Sequence, residues 1–112
     1  MDTKSNDSLS AVFAALGNPT RRAILARLAK GEATVYELSQ PFGLTQPTIS
    51  RHLKVLEHAG LIEGMRDAQR RPRRLRLKAI KDAADWIEPF RELWARRLNN
   101  LDRHLAKPPK EK

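Results

Sequence analysis

The 112-residue sequence contains no cysteine. That excludes a disulfide scaffold, a thiolate metal site and a cysteine nucleophile together. Its five glycines are scattered, so no glycine-rich loop is available to cradle a phosphate. Apolar runs never exceed a few residues, and no segment is expected to span a membrane. Residues 1–8 are polar, with no basic stretch leading into an apolar one, so no secretory signal is expected. A paired nucleophile and base are missing, as is a concentrated carboxylate cluster, and an enzyme is not expected. What remains is a small, soluble, cytoplasmic protein of one domain.

Basic residues are plentiful instead, and the formal net charge is +9. Residues 1–60 carry a balance of +2, residues 61–78 a balance of +5, and residues 79–112 again +2. More than half of the surplus therefore lies in 18 residues, as Arg66, Arg70, Arg71, Arg73, Arg74, Arg76 and Lys78 against Glu63 and Asp67. A solvated charge run is the bland explanation. The flanking pattern decides against it.

Residues 1–7 read as a disordered tail. Leu9, Val12, Phe13 and Leu16 then recur at helical spacing, with Asp7 or Ser8 as N-cap and Gly17 as the stop. Asn18-Pro19 opens a second helix, Asn as cap and Pro at the first position, where its missing N–H costs nothing. Gly31 ends it. Thr34 and Glu37 have capping-box spacing and begin a third helix, which Pro41 shortens near Phe42. After a Gly43-Leu44 turn, Thr45 caps a fourth helix that carries Ile49, Leu53 and Leu56 as its apolar stripe and closes at Gly60. Residues 61–67 and 73–77 alternate as strands of a hairpin with its tip at 68–72, with Leu75 and Leu77 turned inward and Arg74 and Arg76 outward. A long helix is expected from about residue 82 to 105, and 106–112 form a flexible basic tail. No internal repeat is present.

This order predicts a mainly α fold with a small β-hairpin: a winged helix-turn-helix over residues 8–105, with a long C-terminal helix for dimerisation. The helix-turn-helix occupies 34–59, with the recognition helix at about 45–59, and the basic segment 64–76 is its wing. On a helical wheel, Leu53 and Leu56 fall within roughly 40° of Ile49. Arg51, Pro47, Lys54 and Thr48 fall opposite, Ser50 and Gln46 on one flank, and His52 on the other, near the core edge. Guanidinium, amide and hydroxyl groups on one face are what readout of base edges requires. An ordinary amphipathic helix with a polar outer face is the alternative. Lys54, Arg70, Arg71, Arg73 and Arg74 are expected on phosphates, or for the wing in the minor groove.

Several stretches strengthen this picture. They are Ala15-Leu16-Gly17-Asn18-Pro19-Thr20-Arg21-Arg22-Ala23-Ile24-Leu25, Tyr36-Glu37-Leu38, the run from Thr45 to Leu56 with Ser50-Arg51-His52-Leu53, and Ala59-Gly60-Leu61-Ile62. Over about residues 9–105 the chain resembles the ArsR-type (arsenic-repressor-like) winged helix-turn-helix regulators. The resemblance implies a homodimeric bacterial transcription regulator, usually a repressor, on an operator with dyad symmetry. It also implies DNA contacts from Gln46, Ser50, Arg51 and His52, with packing as the competing role for His52. Many members sense metals through cysteine pairs, which are missing here. Asp102-Arg103-His104 echoes half of another metal motif, but its second half is absent, and no metal or cofactor is expected. Trp86-Ile87-Glu88-Pro89-Phe90-Arg91-Glu92-Leu93-Trp94 resembles an aromatic-rich branch not known for metal sensing.

The last helix carries Trp86, Phe90, Leu93, Trp94, Leu98 and Leu101, a stripe too wide for one contact. With Leu9, Val12, Phe13 and Leu16 it is expected to pack across a two-fold axis. Purely intramolecular packing, or an aromatic ligand cage at Trp86 and Trp94, are the alternatives. The expected partners are double-stranded DNA and a second copy of the chain, and no small-molecule effector is specified. A low-specificity nucleoid or RNA-binding protein is the competing function.

Overall fold

The computed structural model describes residues 3–66 and 70–106, with side chains for 7–66 and 70–101. Five helices and one hairpin follow in the order α1 (Thr3–Leu16), α2 (Pro19–Leu28), α3 (Val35–Phe42), α4 (Gln46–His58), β1 (Ile62–Gly64), β2 (Arg73–Leu75) and α5 (Leu77–Ala106). The strands pair antiparallel with Ile62 opposite Leu75, Glu63 opposite Arg74 and Gly64 opposite Arg73. Ala33, just before α3, adds a short third rung by exchanging two backbone hydrogen bonds with Arg73. The hairpin is thereby stitched to the helix-turn-helix at its base.

Local chemistry explains most boundaries. Asn18 Oδ1 accepts from the Arg21 N–H, and Pro19 begins α2. Thr34 and Glu37 form the reciprocal capping box that starts α3. Gly43 ends α3 in the left-handed region at φ 63°, a conformation that a Cβ disfavours. Thr45 caps α4 by accepting from the Thr48 N–H. The end of α4 is a Schellman turn. Leu61 N–H donates to the Leu56 carbonyl, Gly60 N–H donates to that of Glu57, and Gly60 has φ 79°.

Ile24, Leu38, Ile49, Leu53, Leu56, Leu61 and Ile62 are fully buried where α2, α3, α4 and β1 meet. Burying each such side chain contributes roughly 1.5–3 kcal/mol. α1 covers one side of this core through Val12 and Ala15, and α5 reaches it through Ala79, Ile80 and Ala83.

Four boundaries differ from the sequence expectation. Helical backbone begins at Thr3, so Asp7 and Ser8 lie inside α1 rather than capping it. The strands are shorter than 61–67 and 73–77. Leu61 and Ile62 are both buried instead of alternating, because Leu61 closes the Schellman turn and only Ile62 belongs to the strand. α5 begins at Leu77 rather than near 82, and Asp82 pairs with Lys78 one turn earlier at 2.9 Å. Leu77 is consequently 67% exposed and does not point inward. The expected hairpin tip at 68–72 lies partly, and the basic tail 107–112 wholly, outside the described residues.

The radius of gyration is 19.2 Å, against roughly 13 Å for a compact domain of this length. The excess comes from α5, whose 30 residues span about 45 Å. Among the described residues no helix is long and apolar enough to cross a membrane.

Candidate nucleic-acid interface

The helix-turn-helix and the wing bound one open groove of about 700 Å³. Thr34, Val35, Tyr36 and Glu37 supply one wall from the start of α3. Gln46 and Ser50 supply the floor from α4, and Arg70, Arg71 and Arg73 the other wall. Each wall is held by a different device. The capping box fixes the first: Thr34 Oγ1 accepts from the Glu37 N–H at 3.1 Å, and Glu37 Oε1 accepts from the Thr34 N–H at 2.8 Å. The Thr34 N–H bond and a second one from the Thr34 hydroxyl to the same Oε1 at 3.2 Å, helped by the charges of Arg27 and Arg70, hold the Glu37 carboxyl below its usual range.

The wing is held by charge. Arg73 Nε donates to Glu57 Oε2 of α4 at 2.9 Å, and its Nη1 donates to the Arg71 carbonyl at 2.7 Å. The Arg73 side chain is only 11% exposed. Arg73 was expected on DNA, but a nearly buried guanidinium with those partners anchors the wing to α4 instead. Arg74 pairs with Glu63 across the hairpin at 2.6 Å yet stays exposed, and Arg76 approaches the same carboxylate at 3.7 Å. Arg71 has φ 44°, unusual for a residue with a Cβ, and its guanidinium lies across Gly64 of β1. A Cβ at Gly64 would meet Arg71 Nη2 at 2.9 Å and displace the guanidinium from that position.

On α4, Gln46, Pro47, Arg51 and Lys54 are exposed, and Thr48 and Ser50 are half-buried. Thr45 Oγ1 donates to the Thr48 hydroxyl at 2.9 Å, so Thr48 is engaged in the helix cap as well as lying near the surface. His52 lies half-buried on the opposite flank, its Nδ1 3.5 Å from Arg21 Nη1. Burial first, and the Arg21 charge second, push His52 below its ordinary value. The groove thus brings together Gln46, Ser50, Arg70, Arg71 and Arg73. Arg51 and Lys54 lie on the open face of α4, and Arg74 on the outside of the hairpin.

Sequence reasoning missed two features. Arg21 and Arg22 close the end of α1: Arg21 bonds the carbonyls of Ala14 and Ala15, and Arg22 that of Leu16. Basic residues shortly after a helix stop are a readable sign of this. Tyr36 is 59% exposed and lines the groove, although the sequence reading gave it no place in the site.

The second face belongs to α1 and α5. Trp86, Phe90, Leu93, Trp94, Leu98 and Leu101 are each about 40–54% exposed. Leu9, Phe13 and Leu16 are half-buried beside them. Phe13 meets Trp86 edge-on at 5.8 Å, and Trp86 lies against Phe90 at 5.0 Å. Val12 leaves this set. It is 3% exposed within a single chain, as a member of the shared core rather than of the outward face. The Asp102 and His104 side chains lie outside the described residues.

Comparison with known proteins agrees with this architecture. The family profile "Bacterial regulatory protein, arsR family" matches residues 18–63. The chain is 34% identical over 79 residues to the transcriptional repressor SdpR of Bacillus subtilis, a match covering 70% of this chain and 88% of that one. It is 36% identical over 91 residues to the uncharacterized HTH-type regulator YuzN of the same organism, covering 74% and 99%. Among solved structures, an ArsR-like transcriptional regulator from Rhodococcus sp. RHA1 aligns with TM-score 0.73 at 26% identity over 92% of this chain and 94% of that one. The homodimeric winged helix-turn-helix DNA-binding domain of Mb0332 from Mycobacterium bovis aligns with TM-score 0.63 at 30% identity over 93% of each. The matched stretch spans α2, α3, α4 and the start of the hairpin, and the whole-chain relatives extend it over α5: the chain belongs to the ArsR family of bacterial regulatory proteins and has their winged helix-turn-helix fold.

Proposed function

We propose that the chain is a sequence-specific transcriptional repressor that binds a pseudo-palindromic operator as a homodimer. The observation that carries this reading is one surface on which the exposed start of α4 (Gln46, Pro47, Arg51) adjoins the Arg70–Arg71 wall of the wing. Helix α4 enters the major groove by its first turns, where Arg51 and Gln46 have the donors and acceptors for guanine and adenine edges. Thr48 and Ser50 line the same approach. Lys54, Arg70, Arg71 and Arg74 lie on phosphates or in the flanking minor groove. His52 faces Arg21 and reaches DNA only from the edge of the helix.

Self-association supports the same reading. The half-exposed rings and leucines of α5, with Leu9, Phe13 and Leu16, form an apolar face that a second copy covers. A two-fold axis there places two α4 helices about 34 Å apart, one turn of DNA. The Mycobacterium bovis relative is described as homodimeric, and the Bacillus subtilis relative as a repressor.

The test is selection from a randomised duplex pool, followed by competition and sedimentation. The expected result is a recovered duplex with dyad symmetry, bound by a dimer on the order of 10³-fold more tightly than random duplex. Equal binding of random duplex or RNA replaces this reading with a low-specificity nucleic-acid binder.

A further inference from the structure

Arg21 stands outside the DNA-facing groove, yet its side chain joins α2 to the end of α1 and to α4. It sits in the first turn of α2 and spends its guanidinium on other helices. Nε donates to the Ala15 carbonyl at 2.8 Å and Nη2 to the Ala14 carbonyl at 3.2 Å. Both carbonyls belong to the last turn of α1, where helical partners run out and the helix dipole favours a cation. Nη1 lies 3.5 Å from His52 Nδ1 on α4. Phe13, the residue before Ala14 on α1, packs edge-on against Trp86 of α5. A continuous row of contacts therefore runs from the aromatic stripe, through the end of α1 and Arg21, to the middle of α4.

A guanidinium can only donate hydrogen bonds. The His52 nitrogen that faces it therefore accepts, and the ring proton sits on Nε2. We infer that Arg21 is the positioning residue of the recognition helix: it clamps the His52 ring, as the Nε2–H tautomer, to the end of α1 and so sets how α4 is offered to DNA. The inference rests on the DNA-binding reading of α4 and adds to it a role for a residue that does not face DNA.

The electrostatics agree with the geometry. Burial and the neighbouring Arg21 charge both disfavour the protonated ring. From α1, the groups nearest this contact are the carbonyls of Ala14 and Ala15, which Arg21 already holds. Among the described residues no charge from α1, α3 or β1 bears on the imidazole. Protonation would set an Nδ1–H against the guanidinium N–H groups, two donors and two cations together, and would open the clamp. The clamp is therefore closed above the His52 pKa and lost as the pH falls through it.

The experiment is an NMR titration of the histidine ring protons in the full chain. Wild type is compared with Arg21→Gln and Arg21→Lys, and His52 is assigned by its loss in His52→Gln. In wild type, His52 titrates below the ordinary histidine range. In Arg21→Gln its pKa moves up. Arg21→Lys keeps the cation at the end of α1 but lacks the planar fork, and serves if Arg21→Gln does not fold. Its lone ammonium cannot hold the α1 carbonyls and His52 together, so His52 shifts upward there too. Affinity is read on the duplex recovered from the randomised pool. Arg21→Gln lowers it about fivefold to tenfold. His52→Gln, whose amide oxygen can accept from Arg21 while its nitrogen donates, stays close to wild type, whereas His52→Ala falls with Arg21→Gln. The inference is overturned if His52 titrates identically in wild type and the Arg21 variants, or if Arg21→Gln binds the duplex as wild type does. If no duplex is preferred over random DNA, the sequence-specific reading fails, and the His52 titration still decides whether Arg21 clamps the ring.

Discussion

The two working faces of this molecule are built from opposite materials. The α4–wing face is polar and cationic, and its geometry is held by discrete hydrogen bonds and ion pairs: Thr34 with Glu37, Arg73 with Glu57, and Arg74 with Glu63. The α1–α5 face is aromatic and aliphatic, and its side chains remain about half exposed. A charged face is soluble on its own and can wait for a polyanion. An apolar face of this extent is costly to leave in water, and association relieves that cost. On the proposed function, substitutions on the first face act mainly on DNA, salt and pH, and those on the second act on the number of chains.

The sharpest way to break the contrast is to put charge on the apolar face. Phe90→Glu with Trp94→Glu leaves the core of each chain untouched, because both rings stand outside it. Loss of two aromatic anchors, each worth about 2 kcal/mol or more, weakens self-association by at least roughly 10³-fold. Sedimentation should find monomer, and operator affinity should fall with it. A variant that still sediments as a dimer would place the interface elsewhere.

Next come two arginines that are neighbours in sequence and unlike in space. Arg73→Ala removes a charge-assisted hydrogen bond to Glu57 from a nearly buried site, and chemical denaturation should record a loss of about 1.5–3 kcal/mol. Arg74→Ala removes an exposed pair worth about 0–1 kcal/mol, with little change in stability. Its effect belongs on DNA, where the slope of log affinity against log salt should fall by about one unit. Equal stability losses from the two would erase the distinction between anchor and contact.

Arg51→Ala tests the reading face alone. It should cost about 1–3 kcal/mol on the selected duplex and relax the preference at one base pair, while leaving the dimer intact. Uniform weakening on all sequences would make Arg51 a phosphate contact.

The smallest effect concerns acid. The Glu37 carboxyl lies below its usual value near 4.5, mainly through the hydrogen bonds from Thr34. A group depressed in the folded state stabilises it above the unfolded pKa, and that contribution disappears as pH falls through the folded pKa. Glu37→Gln should therefore flatten the dependence of stability on pH below about 4.5, with little change in self-association. An unchanged acid profile would mean that the charge of Glu37 adds nothing to folding.

Much of this architecture was legible in the residues because its signals are local. Asn18-Pro19, Thr34 with Glu37, Gly43 and Thr45 each act within a few residues, and each lies where it was expected. The stripe of Ile49, Leu53 and Leu56 follows from helical periodicity and is fully buried. Errors arose where a residue had two local uses and a distant partner chose between them. Leu77 could end a strand or begin α5, and the packing of Ala79 and Ile80 on the core selected the helix. Leu61 could begin a strand or close a Schellman turn, and Leu56 selected the turn.

The amino-acid order by itself determined the helix caps, the apolar stripes, the family and the concentration of charge in residues 61–78, since all of these depend on spacing along the chain. Tertiary structure alone decided which members of those sets face outward. Arg73 and Arg74 are adjacent and chemically identical, yet Glu57, 16 residues before Arg73, holds the first against α4, while Arg74 stays exposed beside Glu63. Val12 and Phe13 are equally apolar neighbours, yet the angle at which α1 crosses the core buries one and leaves the other beside Trp86. Spacing specifies a face on an element, but the direction of that face is settled only when a partner distant in sequence packs against it.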